Sequence, residues 1–442
     1  MKKKIVWIML MLTALLFTGC AVRRVEEMYA LPRRSQEYSQ LQAAIDNAMA
    51  GMAYSAPVSG DNQQTVQTAD LDGDGVDEYL IFASDNSEKP LKVLIFAQTS
   101  DGTCRLVDTI ESNGAAFEQV EYVELDENPG CELVIGRQVS DQVLRSVSVY
   151  TYRNGSAEQQ LLIGYSRFFT CDLDQNGQRE LMVIRPGEAH ALRGMAVLYS
   201  FRNGRIERSA EAQLSRDPSN IRRITHGKLQ GGTPAVFVAS VVDDSAIITD
   251  VFAIREERFS NISLSAETDT SMGTLRNYYV YAEDIDEDGI MELPGIIYTK
   301  SVFHTPFDAE EDFLIRWFSL DVGGLEMDKR YTFHNFNEGW YLELDSALAT
   351  RFSVEQWDGV YFFNVWDEEY EMATPVFTIY LLAGNDRDEE AVRDGRFPLY
   401  RTESVAYAAK LEPGAEAHGI TAESLTGSFR LIRQDWRTGE TQ

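Results

Sequence analysis

Three short stretches of this 442-residue chain carry oxygen-bearing side chains at a spacing suited to a hard cation. The first reads Asp70-Leu-Asp72-Gly-Asp74-Gly75-Val76-Asp-Glu78. The others are Asp172-Leu-Asp174-Gln-Asn176-Gly177-Gln178-Arg-Glu180 and Asp284-Ile-Asp286-Glu-Asp288-Gly289-Ile290-Met-Glu292. Alternate residues offer carboxylate or amide oxygens, a glycine permits a sharp turn, and a glutamate closes each stretch. With Val76, Gln178 and Ile290 counted as further ligands, each set suits calcium, which takes roughly six to eight oxygens in a flexible shell. An EF-hand would carry its bidentate glutamate three residues later and continue into a helix. Here Ile81, Val183 and Gly295 stand at that place, and each loop runs straight into an apolar, strand-like run such as Tyr79 to Ala83. The spacing therefore predicts three compact calcium loops, each feeding a strand.

The elements that position these loops recur. Aligned starts fall at Asp70, Glu124, Asp172, Gly227 and Asp284, in steps of 54, 48, 55 and 57 residues. A second marker keeps step with the first. Turn pairs at Asp101-Gly102, Asn154-Gly155, Asn203-Gly204 and Gly323-Gly324 follow the loop starts by 31, 30, 31 and 39 residues. Such pairs favour tight two-residue hairpins. Glu256-Glu257 takes the same place in the fourth repeat without a glycine. Strand-like runs lie between the markers: Leu91 to Ala97, Val147 to Arg153, Met195 to Arg202, Ile247 to Arg255 and Phe313 to Leu320. Each repeat supplies about four strands, the content of one propeller blade.

The five loops are unequal. In Glu124-Leu-Asp126-Glu-Asn128-Pro129-Gly130-Cys-Glu132 the glycine has moved one place and a proline restrains the turn, so weak or no binding is expected. The loop starting at Gly227 has lost every carboxylate and is expected to be purely structural. The fifth repeat carries an apparent insertion around Ser301 to Glu310.

These loops resemble the FG-GAP (or VCBS) repeats of integrin-type β-propellers, whose loops read DxDxDGxxD or DxDxDGxxE. The expected fold is mainly β: a β-propeller of about five visible blades over 61–336, with a sixth left open. A small α/β or α+β domain is expected over 337–442. In that region Trp340 to Leu344, Tyr361 to Trp366, Val376 to Leu382 and Tyr400 to Leu411 look like strands. Asp386 to Arg393 and Thr421 to Arg433 look like helices.

The N-terminus reads as an address. Lys2-Lys3-Lys4 precedes the apolar run Ile5 to Phe17, 13 residues long, which is short for a bilayer span and right for a signal peptide. Leu16-Phe17-Thr18-Gly19-Cys20 resembles a bacterial lipobox. That resemblance implies removal of 1–19 and lipidation of Cys20, hence an extracytoplasmic, lipid-anchored protein. Residues 20–60 read as a tether followed by one helix, with Tyr38, Leu41, Ile45, Ala48, Met49 and Met52 at helical spacing and Ser35 as N-cap.

The formal charge of −30 argues against a nucleic-acid surface. Four cysteines make no disulfide scaffold, though one bridge among Cys104, Cys131 and Cys171 stays open. The five histidines show no metal-protease spacing, and no nucleophile elbow or phosphate loop occurs. Glu310-Glu311-Asp312 and Asp367-Glu368-Glu369 read as solvated faces, and Trp317, Trp357 and Trp366 as core. The reading is a non-enzymatic, calcium-binding surface lipoprotein whose propeller meets a protein or glycan. The alternatives are a carbohydrate-active enzyme, a glycosidase or lyase, and an envelope-assembly factor.

Overall fold

The computed structural model describes residues 36–438, apart from 100–102, 140–144, 188–192, 243–245, 299–312, 368 and 370–371. The lipobox with Cys20, the Ser35 cap, the Asp101-Gly102 turn and the 301–310 insertion lie outside these residues.

The chain is mainly β, and the described residues form six antiparallel sheets of four or five strands with few, short helices. We call the sheets blades 1 to 6. Blade 2 shows the plan: Ala116–Val123, Glu132–Gln138, Arg145–Arg153 and Ser156–Gly164 pair in sequence order. Blade 3 repeats it with Arg167–Cys171, Glu180–Pro186, Gly194–Arg202 and Arg205–Gln213. Blade 4 does so with Ile221–Lys228, Pro234–Val241, Ile247–Arg255 and Arg258–Asn261. In blade 1, Glu78–Ser84, Leu91–Gln98 and Cys104–Ser112 follow two short strands that share one edge.

The two middle strands of blades 2 to 4 are apolar almost without alternation because both of their faces are covered by neighbouring sheets. Leu91 to Phe96 is buried at every position, whereas Ser156–Gly164 at a blade's outer edge is mostly exposed. Phe82, Val93 and Ile95 of blade 1 pack on Phe117, Leu133 and Ile135 of blade 2, with Phe82 and Phe117 edge to face at 5.1 Å. Comparable clusters join blades 2 and 3, blades 3 and 4, blade 4 and the sheet begun by Glu292–Tyr298 and Phe313–Leu320 (blade 5), and blade 5 and the sheet begun by Phe352–Trp357 (blade 6). Each such large aromatic, truncated to alanine, would cost about 3–5 kcal/mol.

The other face of blade 1 carries Ile81, Leu94 and Phe96. The helix Gln36–Ala48 covers it with Leu41 and Ile45. The helical spacing read from the sequence thus describes a helix that takes the place of a neighbouring sheet. Among the described residues, no apolar cluster joins blade 6 to blade 1.

Blade 5 crosses the residue 336/337 division expected from the sequence. Its strand Glu326–Asn335 pairs with Trp340–Leu344, and Phe429–Leu431 adds beyond that. The helix expected over 421–433 therefore stops at Ser428, because Phe429 is needed against Trp340 at a ring distance of 5.5 Å. Its start is capped reciprocally by Thr421 and Ser424. Blade 6 is antiparallel, from Phe352–Trp357, Val360–Asp367, Met372–Ala383, Phe397–Arg401 and Val405–Leu411. The helix expected over 386–393 is the single turn Arg387–Glu390.

Candidate metal centres

The three acidic stretches fold into the same loop. Their fourth residues, Gly73, Gln175 and Glu287, all take positive φ, at 74°, 60° and 60°. The glycines two places on, Gly75, Gly177 and Gly289, do so at 86°, 89° and 84°. Two left-handed residues so close coil the chain around the first aspartate, whose carboxylate draws in the glycine amide. Asp70, Asp172 and Asp284 accept from Gly75, Gly177 and Gly289 N–H at 3.0, 3.1 and 2.9 Å.

The glutamate comes from the start of the following strand and points back into the coil. Glu78, Glu180 and Glu292 accept from the main-chain N–H of Leu71, Leu173 and Ile285 at 2.9, 3.0 and 3.1 Å. Ligand oxygens of Asp70, Asp72 and Glu78 come within 4.8 Å of one another, and those of Asp172, Asp174, Glu180 and of Asp284, Asp286, Glu292 do likewise. Each triad could hold a metal ion. Burial, reinforced by the adjacent aspartates, pushes all three glutamates up to about 7. Several of these oxygens lack any donor: Asp172 Oδ1, Asp286 Oδ1 and Glu292 Oε1 are buried without a hydrogen-bond partner.

The fifth-position side chains fasten the turn. Asp74, Asn176 and Asp288 each accept from the N–H two residues on, that of Val76, Gln178 and Ile290, at 2.8, 2.7 and 2.8 Å. The side chain of Val76 is exposed and that of Ile290 has no donor atom, so those positions can offer only carbonyl oxygens.

Loop 124–132 keeps the glutamate and loses the coil. Glu132 accepts from Leu125 N–H at 2.8 Å, but the positive φ now falls on Gly130, at 98°. Its aspartate, Asp126, has a side chain only 2% exposed and is paired with the guanidinium of Arg153. A protein cation thus pairs with the aspartate that corresponds to Asp72, Asp174 and Asp286 of the three triads. Glu132 is pushed up by burial to about 6, with Arg153 opposing the rise. The loop starting at Gly227 is carried by Gly231 and Gly232, at φ of 87° and 85°.

A second cation was equally illegible in the sequence. Lys329 Nζ lies 2.6 Å from Asp288 Oδ2, so the 284–292 loop has an ammonium at one of its fifth-position oxygens. Neither Arg153 nor Lys329 stands in a motif; only strand pairing brings them to the loops.

The five loops touch in succession along one edge of the array. Side chains at Gly73 or Gly130 would collide with the opposite loop, and Cys131 Sγ donates to Asp70 O at 3.4 Å. Arg179 N–H reaches Glu124 O at 3.4 Å, Gln175 Nε2 reaches Gly232 O at 3.2 Å, and Met291 N–H reaches Lys228 O at 2.9 Å. Cys104, Cys131 and Cys171 form no disulfide. Trp317 is fully buried, as expected, whereas Trp357 is 79% exposed at a hairpin end and is no core residue.

Fold and loops together define a mainly-β protein of stacked blades with three acidic, metal-competent triads. No family model matches the chain, and no curated protein does. Among solved structures it is similar to an exotype rhamnogalacturonan lyase, YesX, at 15% identity and a TM-score of 0.32, over 74% of this chain and 65% of that one. It is also similar to the rhamnogalacturonan lyase YesW, at 13% identity and a TM-score of 0.28, over 73% and 64%. The chain spans just under two thirds of the length of these two lyases.

Proposed function

We propose that this chain is a non-enzymatic, calcium-stabilised binding protein, anchored outside the cytoplasm of a bacterial cell through lipidated Cys20. The loops at 70–78, 172–180 and 284–292 hold one calcium ion each, and the blades present a rigid surface to a protein or glycan partner. The observation that carries the metal reading is Glu292, fully buried with Oε1 lacking any donor while its other oxygen is held by Ile285. A buried carboxylate oxygen without a partner is costly unless a cation completes it. The donor set is all oxygen, with neither histidine nor thiolate, which favours a hard cation over zinc or copper. The membrane reading rests on the N-terminal sequence. No helix among the described residues is long and apolar enough to cross a bilayer.

Calorimetric titration with calcium tests the metal reading: about three ions should bind per chain. Absence of binding at millimolar calcium would reduce the loops to acidic turns. For the anchor, cells fed labelled palmitate should mark the wild-type chain and leave Cys20→Ala unmarked.

A further inference from the structure

Beside the second triad lies a cavity of ≈ 600 Å³ on which the first strands of blades 2, 3 and 4 converge. Its volume falls within the ~300–1,000 Å³ typical of small-ligand sites. Gly60, Asp61 and Asn62 close one side, and their segment is stitched to blade 2: Val58 N–H donates to Phe117 O at 3.2 Å, Ser59 N–H to Glu118 O at 2.8 Å, and Asn62 Nδ2 to Val120 O at 3.0 Å.

The polar groups in this cavity are held before any ligand arrives. Glu121 accepts from Thr170 Oγ1 at 2.9 Å and from Gln119 Nε2 at 2.6 Å. Arg179 Nη2 donates to Thr170 O at 2.6 Å. Phe169 and His226 meet edge to face at 4.8 Å on the same wall. Fixed carboxylate, amide and guanidinium groups beside aromatic rings match a ligand with many hydroxyls on one edge and C–H faces on the other. Charge narrows the class. Asp61, Glu121 and Glu124 line the cavity against Arg179, so a polyanion is disfavoured.

We propose that this cavity binds a neutral or N-acetylated oligosaccharide, and that the 172–180 loop sets its affinity by placing Arg179 at the rim. Gly177 and Arg179 both line the cavity and belong to the loop whose Asp172, Asp174 and Glu180 form the second triad. Locking that coil with a cation fixes the side chain between Gln178 and Glu180. This deepens the binding-protein reading above and rests on it.

The test uses the full chain in detergent on an array of glucan, mannan, xylan, chitin and peptidoglycan fragments, with tetragalacturonate as the anionic comparison. Hits are then titrated in solution with calcium or with chelator. At least one neutral or N-acetylated fragment should bind saturably. Affinity should fall about tenfold or more in Glu121→Gln and in Arg179→Ala, the scale of one charged hydrogen bond. Trp357→Ala, at the exposed end of blade 6, should bind as wild type. Chelator and Asp174→Ala should both weaken binding. The proposal is overturned if no such fragment binds, if tetragalacturonate alone binds, or if Trp357→Ala abolishes binding while Arg179→Ala does not. Sugar affinity unmoved by chelator and by Asp174→Ala would remove the loop's part in it. Calcium titration of the same preparation separates the two readings: ions bound without sugar sink this site alone, and sugar bound without ions sinks the metal reading.

Discussion

The guanidinium of Arg153 is paired with the buried carboxylate of Asp126, inside the acidic loop whose coil has been lost. In this loop the protein cation pairs with the buried aspartate itself, whereas in the 284–292 loop Lys329 meets the fifth-position Asp288, which stands outside the triad. The same fold position is thus neutralised in two chemically different ways, by a protein side chain here and by an ion in the proposed metal loops.

Removing that guanidinium should therefore be costly and should not be repaired by metal. Arg153→Gln leaves Asp126 and Glu132 together without a counter-charge. Because Arg153 is half exposed, the expected loss is about 1–3 kcal/mol, not the full penalty of a buried pair. Urea denaturation measures it. Calcium at millimolar concentration should leave the deficit in place, since Pro129 and the shifted Gly130 do not rebuild the coil.

Chelation should lower the melting temperature of the wild-type chain. An ion present at a hundredfold its dissociation constant stabilises the folded state by about 2.7 kcal/mol per site. Asp72→Ala, Asp174→Ala and Asp286→Ala should each remove one ion from the calorimetric count and part of that stabilisation. A melt identical with and without chelator would refute it.

In chelator, stability should fall as pH rises from about 5 to 8. Glu78, Glu180 and Glu292 are raised from 4.5 to about 7 in the metal-free fold, chiefly by burial. The folded chain then holds more protons than the unfolded chain between those values, and stability declines with pH across that window. Calcium must displace those protons, so its affinity should increase over the same interval. Melts at pH 5.5, 7 and 8 with chelator, beside titrations at pH 6 and 8, read both slopes.

Lys329 should make the 284–292 site the weakest of the three. Its ammonium lies 2.6 Å from Asp288, whereas no lysine or arginine pairs with Asp74 among the described residues. In a background of Asp72→Ala with Asp174→Ala, Lys329→Gln should raise calcium affinity several-fold, by titration of the remaining site. Unchanged affinity would place Asp288 outside the ion's shell.

The hairpin at Glu256-Glu257 offers a gain of stability. Both residues sit at positive φ, 49° and 63°, as do Asn154-Gly155 and Asn203-Gly204 in the neighbouring blades. Asn-Gly suits such a turn, and two glutamates do not. Replacing the pair by Asn-Gly should stabilise the chain by about 1 kcal/mol, visible in the urea midpoint.

What the sequence determined by itself was carried by near neighbours. The nine-residue coils, their glycines, the apolar middle strands and the Asn154-Gly155 and Asn203-Gly204 hairpins are local, so alternation, spacing and turn chemistry were enough to read them, whereas Gly323-Gly324 lies in a five-residue connection between Leu320 and Glu326. Tertiary structure decided which charges meet and which faces are covered. Arg153 lies 27 residues from Asp126 and Lys329 lies 41 from Asp288, separations at which only strand register selects a partner among 70 acids. The same holds for the helix over blade 1 and for Phe429–Leu431, which completes blade 5 from the far end of the chain. An amphipathic stripe states that a face must be buried. It does not state against what, because burial of apolar area is non-directional and any complementary surface within reach will serve.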